Sequence, residues 1–268
     1  MENKYYEVVN ESLKNFYDRR VDIVSKTDVF KIIKQKNPYL YRAFGTNDAH
    51  DFVENILLDA QTSSDETIFG DFFEEVAIGV STNGRKSSAN SIDLEIWSED
   101  QTQVKLYAVK SGTKVFNAQS RERQRQAFGE AQKRLKGIAV TPIVGYGYGR
   151  KAIERKSNKN NFTEEAGEVF WTSITGEESF YIELIELVGL VADKHKTNFK
   201  REWDKCVNRQ YKKFIDVFGN EDGSIDWEKI IKYSSGVKAP KEVNDKINET
   251  RKKNKKNVAG KKVKKKKV

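Results

Sequence analysis

The chain is poor in the residues that usually build cross-links and metal cages: among 268 residues there are one cysteine, two histidines and three prolines. A lone Cys206 excludes an internal disulfide and fits a reducing compartment. With only His50 and His195 beside it, a Cys/His zinc site lacks its ligands. No apolar run approaches the roughly 18 residues of a membrane span, and the leading Met-Glu-Asn-Lys lacks the apolar stretch of a signal peptide. The expectation is a soluble, cytoplasmic protein with no membrane partner. What the chain does have is core material: 15 Phe, 11 Tyr and 4 Trp within a hydrophobic share of 37%, enough for one large or two small domains.

The net charge of +9 is unevenly spread. Residues 251–268 hold eleven Lys or Arg and no acid, which leaves 38 basic against 40 acidic residues, net −2, over residues 1–250. Any nucleic-acid surface on the body is then a local patch amid acidic regions, while the tail adds non-specific phosphate affinity. From Val237 the chain loses apolar residues, and residues 241–268 read as a disordered basic tail.

The most informative stretch is SIDLEIWSEDQTQVKLYAVKSGTKVFN, from Ser91 to Asn117. Its first part alternates, with Ile92, Leu94 and Ile96 on one face and Asp93 and Glu95 on the other, as in a half-buried strand. After the polar Ser98–Gln101 turn a second strand runs from about Gln103 to Lys110 and pairs antiparallel with the first. A hairpin that sets a lysine amine beside two carboxylates suits a divalent cation and the water it activates.

Around this hairpin the periodicity predicts mostly helices. Amphipathic helices are expected over Glu2–Tyr17, Asp28–Lys34 and Asp48–Ala60, the second ended by Asn37-Pro38. Ser63 and Glu66 read as a capping box that starts another helix through Val80, with Glu74 and Glu75 inside an apolar context where a carboxylate needs a cation or hydrogen bonds. Residues 84–90 read as a polar connection and Gln119–Lys136 as a helix with Arg121, Gln124 and Arg125 on one face, either a solvated face or a surface for phosphates and base edges. Ile138–Gly145 is expected as a strand, at an edge because of Pro142. Gly145, Gly147 and Gly149, interleaved with Tyr146 and Tyr148, permit close backbone approach, but the pattern matches neither standard nucleotide-binding glycine loop. Residues 156–161 read as a loop, Val169–Ile174 as a strand, and Ser179–Ala192, Phe199–Phe218 and Trp227–Tyr233 as helices, the last capped by Asp226.

Asp93, the turn, and Ala108-Val109-Lys110-Ser111-Gly112 resemble the core of the PD-(D/E)XK nuclease superfamily. With Ser64–Gly70 leading to Glu74 and Ala77, then Asn117 and Gly145–Lys151, the pattern is similar to type II restriction endonucleases of the PmeII-like, EcoO-type group. Two positions depart from it: Ala108 stands where an acid is expected, and Thr113-Lys114 replaces Pro-Asn. The resemblance implies an α/β restriction-endonuclease-like core, a small mixed sheet with flanking helices inside a mainly helical shell. It is expected as one domain over residues 1–240, with a helical part over 1–62, a catalytic core over about 63–175 and a helical part over 176–235.

The same resemblance implies a type II site-specific deoxyribonuclease of bacterial or archaeal origin. It would cut double-stranded DNA as a homodimer with Mg²⁺, beside a companion DNA methyltransferase. Asp93 with one or both of Glu74 and Glu95, joined by the Val109 carbonyl, would hold the metal, with Glu74 favoured as the replacement for the acid missing at Ala108. Lys110 would orient the attacking water. Ser111, Lys114, Asn117, Arg121, Gln124, Arg125, Arg150 and Lys151 would contact DNA. Two rival readings stand beside this one: a non-catalytic DNA-binding protein that kept a nuclease scaffold, to which Ala108 points, and a repair or recombination nuclease without sequence specificity.

Overall fold

A computed structural model describes residues 4–151 and 161–252. The expected basic tail beyond residue 252 and most of the expected loop over 156–161 lie outside the described residues. The chain divides into two compact units, Met1–Arg19 with Asp65–Thr197 and Arg20–Ser64 with Asn198–Val268. The division falls inside three helices, α1 (Tyr6–Lys26), α4 (Ala49–Val80) and α7 (Phe180–Phe218). Hydrophobic periodicity runs unbroken through such helices and gives no boundary to read.

The first unit is built on a five-stranded mixed sheet in the order β1 (Gly84–Lys86), β2 (Leu94–Trp97), β3 (Gln103–Gly112), β4 (Ala139–Tyr148), β5 (Thr163–Ala166). β1, β2 and β3 pair antiparallel, whereas β4 and β5 continue parallel from β3. This is the α/β architecture expected of the core. One sheet face, with Leu94, Tyr107, Val109 and Ile143, packs on α1, α4, α7 and α6 (Glu168–Thr175). The other, with Val104, Leu106, Ala108 and Val144, packs on Phe128 and Ala131 of α5 (Ala118–Arg134). β3 therefore buries both of its alternating faces. Each fully buried Phe in these layers contributes about 2 kcal/mol of transfer free energy.

Several local expectations give way to tertiary pairing. Ile92 joins the α5-side core while Leu94 and Ile96 join the opposite one, so the expected alternation is broken at Asp93, next to the positive φ of 59° at Ser91. The connection after Val80 contains β1, whose Arg85 pairs with Glu95 across the ladder. β4 is an interior strand and not an edge. Pro142 is accommodated because pairing with β5 begins only at Ile143, so no ladder donor is needed on that side. The expected strand over Val169–Ile174 is helix α6, and its buried residues Phe170, Trp171 and Ile174 show helical spacing. A short apolar run does not separate the two states by periodicity alone. Thr163-Glu164-Glu165-Ala166, without a strand-like composition, forms β5 because β4 offers it a partner.

The second unit is helical, with α2 (Val29–Ile33) capped by Asp28, α3 (Pro38–Ala43) capped by Asn37 and α8 (Trp227–Ser235) capped by Asp226. Val29, Phe30, Phe52, Phe214 and Ile230 lie in its core. The helices expected over Asp48–Ala60 and from Ser63 are one helix, α4. There the Ser63 and Ser64 hydroxyls donate to the carbonyls of Asp59 and Ala60, one turn back, instead of capping a new start. Residues 241–252, expected as the beginning of a disordered tail, are helical (α9), with Val243 and Ile247 buried in the same core. Two apolar side chains one turn apart are enough to seat a helix against a surface already formed.

Candidate active site

The hairpin places Asp93 by main-chain bonds on both sides: its N–H donates to Tyr107 O at 2.8 Å and its carbonyl accepts from Ser87 N at 3.1 Å. Its carboxylate Oδ2 accepts from Val109 N at 2.7 Å. That bond holds the side chain at the end of the β2–β3 ladder, where Lys110 brings its Nζ to 3.5 Å from the same Oδ2. Lys110 also donates to the Val109 carbonyl at 2.8 Å. Asp93 and Lys110 are partly buried, with side chains 17% and 29% exposed, so their charges interact in a medium less screening than bulk water.

Glu74 approaches from α4. Burial, the negative charge of Asp93 and, more weakly, that of Asp71 raise its pKa, while Lys86, 3.5 Å away, pulls the other way. The next residue, Glu75, accepts from Asn15 at 3.2 Å. Asp93, Glu74 and the Val109 carbonyl offer oxygens only, the donor set a hard divalent cation takes, and a cation between two carboxylates relieves the repulsion that disfavours ionised Glu74. Among the described residues no three His, Cys, Asp or Glu side chains converge as a cage. Two carboxylates plus water and substrate oxygens are a usual arrangement for Mg²⁺. Ala108 is fully buried among Ile92, Leu106, Phe128 and Ala131, a setting in which a carboxylate would be costly.

Glu95, expected near the metal, is engaged elsewhere. Trp97 Nε1 donates to it at 3.0 Å, Ser87 Oγ at 2.8 Å and Arg85 Nε at 3.2 Å. Burial pushes its pKa up, but these three donors outweigh it and leave the carboxyl below the usual range. The expected DNA-contacting residues are likewise divided. Gln124 is buried, and its Nε2 donates to Ser91 O at 2.9 Å, so it secures the segment before Asp93 and is withdrawn from base edges. Asn117 caps α5 by accepting from Ser120 N at 2.8 Å. Arg125 pairs with Glu122, one turn earlier on its own helix. Ser111 is half-buried at the end of β3, and Lys114 and Arg150 are exposed.

Glu164 was not singled out in the sequence, and it gathers several of these groups. It pairs with Arg121 at 3.3 Å and with Lys151, and accepts from the Tyr146 hydroxyl. Burial raises its pKa, but Lys151, Tyr146 and Arg121 bring the carboxyl below its ordinary range. Tyr146 lies opposite Lys110 in the parallel register, which puts this cluster beside the strand that carries Lys110. Nothing in the acidic Thr163–Ala166 segment announced it, because its partners come from α5 and β4.

Comparison with known proteins supplies a family for the chain. Residues 3–196 match the family described as type II restriction endonuclease EcoO109I. The chain belongs to that family. The match covers more than half of the chain and spans every residue of the Asp93–Lys110–Glu74 cluster. No curated protein matches the chain. Membership makes the chain a restriction endonuclease, a hydrolase that cleaves DNA. No helix among the described residues is long and apolar enough to cross a membrane.

Proposed function

We propose that the chain hydrolyses phosphodiester bonds of double-stranded DNA at one specific short site, in the manner of the PD-(D/E)XK superfamily, with Asp93, Glu74 and Lys110 as its reacting groups. The observation that carries this reading is the Lys110 Nζ 3.5 Å from an Asp93 carboxylate that the Val109 N–H already orients. Asp93, Glu74 and the Val109 carbonyl would hold Mg²⁺, which when bound supplies Lewis acidity to the scissile phosphate. Asp93 presents its carboxylate in one rotamer because Oδ2 is bonded to Val109 N. Lys110 presents a positive charge and N–H donors where a water and a phosphate oxygen meet, so it orients the nucleophile and stabilises the charge that builds on phosphorus. Glu74, whose ionisation is disfavoured by burial and by Asp93, gains most from a cation at this place.

A homodimer acting on a palindromic site, a companion methyltransferase that protects host DNA, and phosphate contacts from Lys114 and Arg150 belong to the same proposal. The test is digestion of supercoiled plasmid with Mg²⁺. Discrete fragments with uniform ends support a site-specific enzyme, a smear points to a nuclease without sequence specificity, and uncut plasmid returns the reading to a DNA-binding scaffold.

A further inference from the structure

A cavity of about 650 Å³ opens beside the sheet of the first unit, walled by Phe73, Trp171, Tyr148, Tyr181 and Ile185. Its size falls in the range of small-molecule sites. It lies close to the reacting groups: Lys110 and Gly112 pair in register with Tyr146 and Tyr148, so the wall begins about 7 Å along the strand beyond Lys110. On α4, consecutive residues divide between the two places, Glu74 toward Asp93 and Phe73 into the cavity wall.

The wall is largely aromatic, and glycines make room for its rings. A Cβ at Gly112 would stand 2.6 Å from the Tyr148 ring, and one at Gly147 would stand 2.6 Å from Phe73. Trp171 is held by its Nε1, which donates to Gly147 O at 2.8 Å. The buried Phe73 ring has its centroid 6.2 Å from those of both Tyr148 and Trp171. Tyr148 and Ile185 are nonetheless 60% and 67% exposed, so apolar surface has been left open to solvent instead of packed.

Among the described residues of the lining, the charged side chains come from one lip, where Gly149 and Gly167 approach each other. Arg150 is there, with Lys151 beside it already paired with Glu164, together with the N-terminus of α6, where Gly167 provides no side-chain cap. Uncapped N–H groups beside a cation favour an anion, and the exposed Glu168 is the one acid on the lining. An aromatic wall with a cation at its lip, beside the strand that carries Lys110, suits an aromatic base carrying a phosphate.

We propose that this cavity receives one unpaired nucleotide of the substrate DNA, its base against the exposed Tyr148 ring and its phosphate at Arg150 and the first turn of α6. The inference rests on DNA being the substrate. It gives a use to the Gly145–Lys151 segment, whose glycines bring the rings together and do not form a phosphate loop. Extrusion costs unpairing and unstacking energy, and this cost is smallest at a base pair that is already mismatched.

The test uses the full chain and duplexes carrying the cut site mapped on plasmid. A single mismatch is placed at each position in turn, and binding is measured with Ca²⁺ in place of Mg²⁺. A mismatch at one position is expected to tighten binding tenfold or more. Tyr148→Ala abolishes that gain, Tyr148→Phe keeps it and Arg150→Ala reduces it. The inference is overturned if no position shows a gain, if the gain survives Tyr148→Ala, or if Tyr148→Ala and Ile185→Glu instead convert a dimer to a monomer, since a second copy would then fill the cavity. A wild-type chain that cuts plasmid but shows no mismatch gain sinks this inference alone, and one that cuts no plasmid sinks the proposed function with it.

Discussion

Asp93 and Glu164 are both largely buried carboxylates of the same sheet, with side chains 17% and 12% exposed, and each has a cation within reach. Their surroundings differ in how many donors they supply. Glu164 has Arg121, Lys151 and the Tyr146 hydroxyl around one carboxylate. Asp93 shares one lysine with a neighbourhood that includes a second carboxylate, Glu74, and that lysine stands 3.5 Å away and also serves a carbonyl. A carboxylate surrounded by donors holds elements together, whereas Asp93 and Glu74, each with a single lysine 3.5 Å away, offer oxygens of the kind a hard cation takes. The same distinction separates Glu95, held by three donors, from Glu74.

The comparison is sharpened first by Lys110→Ala. This change is expected to lower plasmid cleavage by about 10³-fold or more, within the usual range for removing a proton-transfer group, with thermal unfolding almost unchanged. Cleavage within a few-fold of wild type would remove the lysine from the reaction. Glu74→Gln is expected to cost roughly 10²-fold, again read against that range, while Glu75→Gln stays near wild type because Glu75 faces Asn15. The opposite ranking would mean that α4 presents its other acid to the site.

Glu164→Gln is expected to invert the pattern. Cleavage stays within about threefold, and urea unfolding shows a loss of roughly 1–3 kcal/mol from weakened charged hydrogen bonds in a partly buried site. Because the folded-state pKa of Glu164 is lowered, its contribution is fully present above the unfolded carboxylate value and is lost as pH falls through the folded one. The stability gap between wild type and variant should therefore close between about pH 5 and pH 3, near the ordinary Glu pKa. A gap that widens on acidification would contradict the assignment. The smallest effect is expected for Glu95→Gln, a loss of about 1 kcal/mol with an unchanged Mg²⁺ requirement. A raised requirement in a metal titration would return Glu95 to the reacting group.

Local chemistry was legible in the residues wherever it is governed by near neighbours in the chain. The hairpin with Asp93 and Lys110 at its open end, the cap at Asp226 and the amphipathic faces of the helices follow from alternation, 3.6-residue periodicity and short polar side chains beside free N–H groups. Pairing between distant segments was not legible. β5 exists because β4 accepts it, α4 and α7 run through where polar interruptions suggested breaks, and Val169–Ile174 coils because Phe170, Trp171 and Ile174 reach one core by helical spacing. The fates of the charged side chains belong to the same class. Arg121, Lys151, Gln124 and Glu95 looked available for DNA or metal, yet each is taken by a partner that the sequence places elsewhere or leaves unmarked. Whether a charge reaches solvent depends on which segments pack beside it, and that is settled when the helices close over the two faces of the sheet.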